Sequence, residues 1–290
     1  MTMDTSAVIS ELRYLNGFGN EHESEALPGA LPVGRFSPQK VAYGLYAEQF
    51  NSTAFTAPRA DNRRTWLYRI RPSVAQGDYK PWRETGLRTG PITEIPTPPN
   101  MLRWDPLPLP EEPVDFLEGL TTIAANGDAM AQRGMGIHLY AANRSMGDRY
   151  FYCADGELLF IPQTGELLLR TECGQIHLRP GEIAVIPRGM KFAVDIVGDV
   201  ARGYLAENYG ASLALPERGP VGANGYANDR DFHYPEAAFE DREGEFELIC
   251  KFAGHLYRAA LDHSPLDVVA WTGNSAPYKY DLSRFNVMGT

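Results

Sequence analysis

The sequence predicts a mainly β protein built around a jelly-roll β-sandwich. Between residues 135 and 207, short strand-like runs follow one another, separated by turn signals such as Asp155-Gly156 and Pro180-Gly181. The chain has 28 glycines and 22 prolines, and they fall between apolar runs rather than in a low-complexity segment. Helical periodicity is scarce, and single turns are predicted only near 113–120 and 235–239.

The pattern divides the chain into three predicted regions. Residues 1–115 are expected to be an extended region, rich in aromatic residues and proline, that packs on the sandwich or on a neighbouring subunit. Its stretches 91–99 and 106–110 contain too many prolines for a helix or a central strand. Residues 116–210 are expected to form the β-sandwich, and residues 211–290 a loop followed by strands.

The predicted strands are short and evenly spaced. Those of the sandwich are 137–142, 149–153, 157–161, 166–171, 175–178, 183–186, 192–197 and 202–206. Those of the last region are 246–252, 256–261 and 268–271, and residues 284–290 look like an interrupted strand.

Composition and charge exclude several classes of function. A net charge of -10 and a pI near 5.1 disfavour nucleic acid and anionic membranes as partners. No apolar stretch approaches the length of a membrane span, and the N-terminus lacks the pattern of a secretion signal. Cys153, Cys173 and Cys250 are predicted to be free, buried thiols, so a cytoplasmic protein is expected.

Residues 181–189 (GEIAVIPRG) resemble the second sequence motif of the cupin family. In that motif a metal-binding histidine follows three residues after the last glycine, and here that position is Phe192. The stretch 142–149, where the first motif would supply His and Glu ligands, contains neither. Because an iron or zinc site needs several converging imidazoles or carboxylates, a cupin-like sandwich without metal ligands is predicted.

The histidines and one arginine cluster leave alternatives open. His22, His138 and His177 have ordinary structural interpretations. His233, His255 and His263 could hold a metal only if folding brought them together, which would give a self-contained cupin enzyme. A basic cluster is interpreted as a solvated or subunit-facing surface rather than an anion site; it consists of Arg59, Arg63, Arg64, Arg69 and Arg71.

Several sequence blocks resemble homogentisate 1,2-dioxygenase. They are 15–20 (LNGFGN), 43–50 (YGLYAEQF), 55–59 (FTAPR), 64–70 (RTWLYRI), 188–190, 202–204, 219–225 and 277–280. The resemblance covers essentially all of this chain and about the first two-thirds of the family's length. One departure is Thr272, which stands where the family usually has His.

The resemblance implies an activity and a location for its chemistry. Full-length members open the homogentisate ring with O2 and Fe(II) to maleylacetoacetate, in tyrosine and phenylalanine catabolism, as homo-oligomers of trimers or hexamers. The family's iron ligands and acid–base histidine lie in the remaining third. The resemblance therefore implies no catalytic residue and no metal ligand here, leaves substrate-binding residues unknown, and suggests a scaffold that is inactive alone. A non-catalytic, cupin-like binding or assembly protein remains the alternative.

Overall fold

The computed structural model describes residues 5–33, 41–54, 56–94, 96, 98–215 and 227–285. Strands dominate these residues, so the predicted mainly β fold class is confirmed. The α-helix α1 (Thr5–Glu11) has only seven residues. Across the described ranges, no helix has the length and apolar character needed to cross a membrane.

The strands are distributed along the whole chain. The first group is β1 (Tyr14–Asn16), β2 (His22–Glu25), β3 (Tyr46–Asn51), β4 (Arg64–Arg69) and β5 (Lys80–Pro81). The second group is β6 (Leu120–Asp128), β7 (Arg133–Ala142), β8 (Arg149–Cys153), β9 (Glu157–Thr171), β10 (Gly174–Leu178), β11 (Glu182–Ile186) and β12 (Phe192–Asn208). The third group is β13 (Phe232–Pro235), β14 (Glu243–Phe252), β15 (His255–His263), β16 (Val268–Gly273) and β17 (Tyr278–Asp281).

Two sheets organise these strands. The larger sheet follows the order β1-β13-β17-β11-β9-β12-β8-β14-β15-β5, with β10 beside β9 and the β6–β7 hairpin beside β12. The smaller sheet has the order β2-β16-β4-β3. Both sheets combine strands from the beginning and the end of the chain, so long-range pairing holds the fold together.

The turns predicted at 164–165 and 198–199 are irregularities inside two long strands. β9 joins the predicted runs 157–161 and 166–171, and β12 joins 192–197 and 202–206. The two strands pair on both sides of an irregularity in which Gly165 faces the stretch between Val197 and Arg202. A Cβ on Gly165 would lie 2.0 Å from the Val200 carbonyl oxygen, and its φ is +74°. Glycine is therefore required for close backbone approach within a strand rather than for a hairpin turn.

The two predicted helical turns had different outcomes. A single turn exists at 116–119, where the amide of Gly119 donates to the Asp115 carbonyl oxygen. Asp115 and Glu118 close it reciprocally, each carboxylate accepting the other's backbone amide. The turn predicted at 235–239 is wrong, because Pro235 ends β13 and residues 236–239 form no helical turn. The amide of Ala237 donates to the Ser24 hydroxyl instead.

The predictions for the first region and for the last residues agree with the structure only in part. The first region is not irregular throughout, since β2, β3 and β4 belong to the small sheet. The described residues of the proline-rich stretches 91–99 and 106–110 contain neither helix nor strand, as predicted. Leu282–Arg284 is a 3-10 turn, and residues 286–290 of the predicted interrupted strand lie outside the described residues.

Trp271 lies where the two sheets meet. It is fully buried, and its indole Nε1 donates to the Cys173 carbonyl oxygen at 2.8 Å. Trp271 belongs to the main core, whereas its neighbour Ala270 belongs to a smaller core with Tyr68 and Val269. A register shift between Val268 and Ala270 interrupts the usual alternation, so β16 contributes Val268 and Trp271 to the main core and Val269 and Ala270 to the smaller one.

Candidate functional site

Phe192 occupies the position at which the cupin motif would supply a metal ligand. Its side chain is fully buried, with ring centroids 5.5 Å from Phe151, 5.8 Å from Phe160 and 6.5 Å from Phe116. All three ring pairs have the edge-to-face geometry that aromatic side chains prefer. These neighbours are hydrocarbon and offer no lone pair to a cation, so Phe192 is part of the core.

Three of the histidines have structural partners of their own. The Nε2 atom of His22 lies 2.8 Å from the Gly17 carbonyl oxygen. The Nε2 atom of His177 lies 2.7 Å from Glu166 Oε2. The ring of His138 lies between Thr122 Oγ1, at 2.8 Å, and Glu207 Oε2, at 3.3 Å.

The remaining three histidines do not form the alternative metal site. His255 and His263 stand at opposite ends of β15, which separates them by about 26 Å at ~3.3 Å per residue. His233 lies on β13, at the far side of the large sheet. A self-contained cupin enzyme built on these three residues is therefore wrong.

Iron does not fit the residues that the structure describes. In the described part of the chain, no group of three or more His, Cys, Asp or Glu side chains could hold a metal ion. The facial triad that non-haem iron needs, two imidazoles and one carboxylate with open positions, has no counterpart there. No reaction step that needs iron can therefore be assigned to these residues.

A buried lysine occupies the centre of the first of three charge networks. The Nζ atom of Lys251 lies 2.7 Å from Asp155 Oδ2 and 2.7 Å from Glu207 Oε1, and all three side chains are buried. The Cys153 thiol also donates to Glu207, at 3.0 Å, and His138 contacts its other oxygen. Lys251 on β14 thereby joins the end of β12 to the β8–β9 connection.

The acidity of Glu207 follows from these contacts. Burial alone would raise the pKa of this carboxyl, but the hydrogen bond from His138 and the charge of Lys251 lower the pKa to about 2. Burial and the neighbouring Glu207 raise the pKa of the Cys153 thiol well above its ordinary value. Cys153 therefore stays a thiol and is no nucleophile at neutral pH.

The second network corrects the interpretation of the arginine cluster. Arg69 is 2% exposed, and its guanidinium contacts Glu172 at 2.9 Å and Asp267 at 3.0 Å. Glu48, the acid of the YGLYAEQF block, lies 3.4 Å away and also accepts the Ser73 amide. Arg69 is thus a buried link between the two sheets, not a solvated surface residue.

The other members of the arginine cluster vary in their surroundings. Arg59 is exposed. Arg64 pairs with Glu21 at 3.6 Å, while Arg71 pairs with Asp241 and Glu243, both largely exposed. These contacts serve the surface and the loops, and they do not converge on one anion site.

The third network surrounds Glu240. Its carboxylate accepts from Arg170 at 2.6 Å, from Tyr150 at 2.8 Å and from Ser264 at 2.7 Å. Burial would raise the pKa of Glu240, but the charge of Arg170 and the hydrogen bonds from Ser264 and Arg242 lower it to about 2. The network ties β8 and β9 to the segments around β14 and β15.

A wide cleft of about 700 Å³ lies between the segment 81–91 and the β14–β15 turn. Charges of both signs line it, and one of them, Arg83, pairs with Glu118 outside it. His255 lines the cleft but makes no hydrogen bond to a cleft hydroxyl within the described residues. The cleft therefore offers a groove without a nucleophile–base pair.

The sequence pattern did not predict any of the three buried networks. The one signal available was a charged residue inside an otherwise apolar strand, such as Lys251 in the run 248–252 (LICKF). A lysine so placed must be paired when it is buried, but the sequence does not name the partner.

Comparison with known proteins gives weak structural matches and a family match. A cupin-2 domain containing protein from Shewanella frigidimarina is 21% identical, with 31% of this chain and 78% of that chain covered and a TM-score of 0.26. A cupin 2 conserved barrel domain protein from Leptotrichia buccalis is 8% identical, with 55% and 85% covered and a TM-score of 0.27. At these TM-scores neither likeness carries an argument.

The family comparison is far more extensive. The family model described as homogentisate 1,2-dioxygenase N-terminal matches residues 13–282. This span includes every strand from β1 to β17 and all three buried charge networks. The chain belongs to the homogentisate 1,2-dioxygenase N-terminal family.

Proposed function

We propose that this chain is the scaffold region of a homogentisate 1,2-dioxygenase and contributes no iron ligand to it. The family match over residues 13–282 supports the reaction. The observation that carries the scaffold role is the aromatic packing around Phe192, which fills with hydrocarbon the position where a cupin ligand would stand. Ring opening with O2 and Fe(II) is then performed at residues other than those described.

The proposed contribution of this chain is mechanical rigidity. Three buried networks, centred on Lys251, Arg69 and Glu240, connect strands that are far apart in sequence. Buried, fully hydrogen-bonded polar networks fix one arrangement of the elements they join. A rigid support is what an active site needs if its ligands are to stay within a fraction of an ångström of the productive geometry.

We further propose that the chain assembles into a trimer or hexamer and resides in the cytoplasm. The extended segment before β6 exposes large apolar side chains, with Met101 83% and Trp104 59% exposed, and such surfaces suit subunit contacts. The cysteines are free and buried, as expected in a reducing compartment. Light scattering after gel filtration tests the assembly, and a monomeric mass would contradict it.

A chimera tests the proposed function. This chain would replace the corresponding region of an active homogentisate 1,2-dioxygenase, and homogentisate-dependent O2 uptake would be measured. We expect the chimera to turn over and the isolated chain to be inactive in the same assay.

Two outcomes would count against the proposal. Turnover by the pure isolated chain would refute the scaffold role. A chimera that folds and retains its iron but consumes no O2 would refute the assignment to this enzyme, and would favour a non-catalytic cupin-like binding or assembly protein.

A further inference from the structure

A small cavity with two charged side chains in its wall lies where several distant segments of the chain meet. Its volume is about 20 Å³. The lining includes the loop after β1, the segment before β4, the start of β9, the segment after β12, and residues of β13 and β17. The residues used below are Gly19, Arg63, Glu157, Leu213, Tyr234 and Tyr278. None of them belongs to the three buried charge networks.

Two charged side chains line this cavity without contacting each other directly. Glu157 is 7% exposed, and its Oε2 atom accepts the Leu213 amide at 2.6 Å. The half-buried guanidinium of Arg63 makes no hydrogen bond or ion pair with any residue that the structure describes. Burial raises the pKa of Glu157, while the Leu213 amide and the charge of Arg63 oppose that rise.

The remaining walls are aromatic. Tyr234 and Tyr278 pack with ring centroids 5.5 Å apart, and the Tyr234 hydroxyl accepts the Gly19 amide at 3.3 Å. Both rings line the same cavity as the two charged groups. A carboxylate oxygen or a guanidinium that is shielded from solvent without gaining a partner destabilises the fold, so both groups favour contact with a water molecule.

The size of the cavity limits what can satisfy these groups. A bound water needs roughly 10–15 Å³ of such volume and about two to four polar partners. The cavity has room for one water and not for a larger organic ligand. Arg63 and Glu157 in its wall also distinguish it from purely apolar cavities, which stay dry.

We propose that one water molecule is bound in this cavity and bridges the Arg63 guanidinium to the Glu157 carboxyl. The guanidinium donates to the water oxygen, and the water donates to the carboxylate. The bridge connects the segment before β4 to the start of β9, so it joins an early part of the chain to the large sheet. It is independent of the proposed dioxygenase function.

Electron density tests the proposal directly. A crystal structure of the full chain that resolves ordered waters should show one water within hydrogen-bond distance of both side chains. Absence of that density, or a direct Arg63–Glu157 ion pair, would overturn the proposal.

A double-mutant cycle tests the same bridge in solution. Arg63→Met, Glu157→Gln and the double variant would be compared by urea unfolding, with the exposed Arg59→Met as control. A shared water makes the midpoint shift of the double variant smaller than the sum of the single shifts. Additive shifts would contradict the bridge.

Discussion

Replacing Lys251 by Met should destabilise the fold severely, because the ammonium compensates two buried carboxylates. Met has similar length and leaves little cavity, so the change isolates the charge. In the wild type, the Nζ atom is 2.7 Å from both Asp155 and Glu207, and the lysine is 1% exposed. Without it, two carboxylates remain in a buried site with one positive partner fewer.

The magnitude follows from the partners that remain. Removing one member of a buried ion pair typically costs about 3–5 kcal/mol. Asp155 would still accept the amides of Ala253 and Gly254, and Glu207 would keep His138 and Cys153. We therefore expect a loss of about 3 kcal/mol in the free energy of unfolding at pH 7, a large part of a typical total of about 5–15 kcal/mol.

Urea unfolding followed by circular dichroism measures this loss. Lys80→Met is the matched control, because Lys80 is exposed on β5 and its replacement should change the stability by less than about 0.5 kcal/mol. Adding Glu207→Gln to Lys251→Met removes one uncompensated charge and should restore part of the stability. A loss below about 1 kcal/mol for Lys251→Met would refute the assigned role of the ammonium.

Three other predictions follow from the same contacts. The carboxyls of Glu207 and Glu240 have folded-state pKa values of about 2, below the ordinary 4.5. Each carboxyl therefore adds about 3 kcal/mol to the free energy of unfolding above pH ~4.5, and this contribution is lost as the pH falls from ~4.5 to ~2. Circular dichroism against pH should show an acid transition in that window, and retention of full stability at pH ~2 would contradict it. Phe192→Ala should lower the free energy of unfolding by about 3–5 kcal/mol, which thermal unfolding measures. Phe192→His should bind no iron, because the neighbours of this position are Phe116, Phe151 and Phe160. Metal analysis checks this, and iron retained by Phe192→His would contradict it. Arg69→Met should lower the free energy of unfolding by about 3–5 kcal/mol in the same urea assay. Arg71→Met should lower it by less than about 1 kcal/mol, because the partners of Arg71 are exposed. Equal losses for the two variants would refute the distinction between a buried and a surface arginine.

Local sequence pattern was sufficient for individual strands. The prediction 149–153 coincides with β8, and 183–186 differs from β11 by one residue. Apolar alternation and flanking turn residues are properties of adjacent residues, so they can be recognised without knowing the fold.

Pairing across the sheet was not predictable in the same way. Gly165 and Gly198 both have positive φ, and that conformation serves a hairpin turn and a bulge equally well. Only the register shows that β12 continues opposite β9 on both sides of the irregularity. The small sheet was missed for a related reason, because β4 pairs with β16, about 200 residues later in the chain.

The charge networks were hidden by sequence separation. Arg69 contacts Glu172 and Asp267, which are 103 and 198 residues away. Seen beside Arg63, Arg64 and Arg71, it looks like part of a basic surface, and only the tertiary contacts place it in the interior. The Phe192 position was predictable because a motif fixes it relative to Gly189.

Iron binding by the isolated chain tests most directly whether this region is a scaffold without an iron site. The purified chain would be equilibrated anaerobically with Fe(II), separated from unbound metal by gel filtration, and analysed for iron and protein. The dispersed histidines and the hydrocarbon surroundings of Phe192 predict iron no higher than in a sample unfolded before loading. Stoichiometric iron retained by the folded chain would contradict the account.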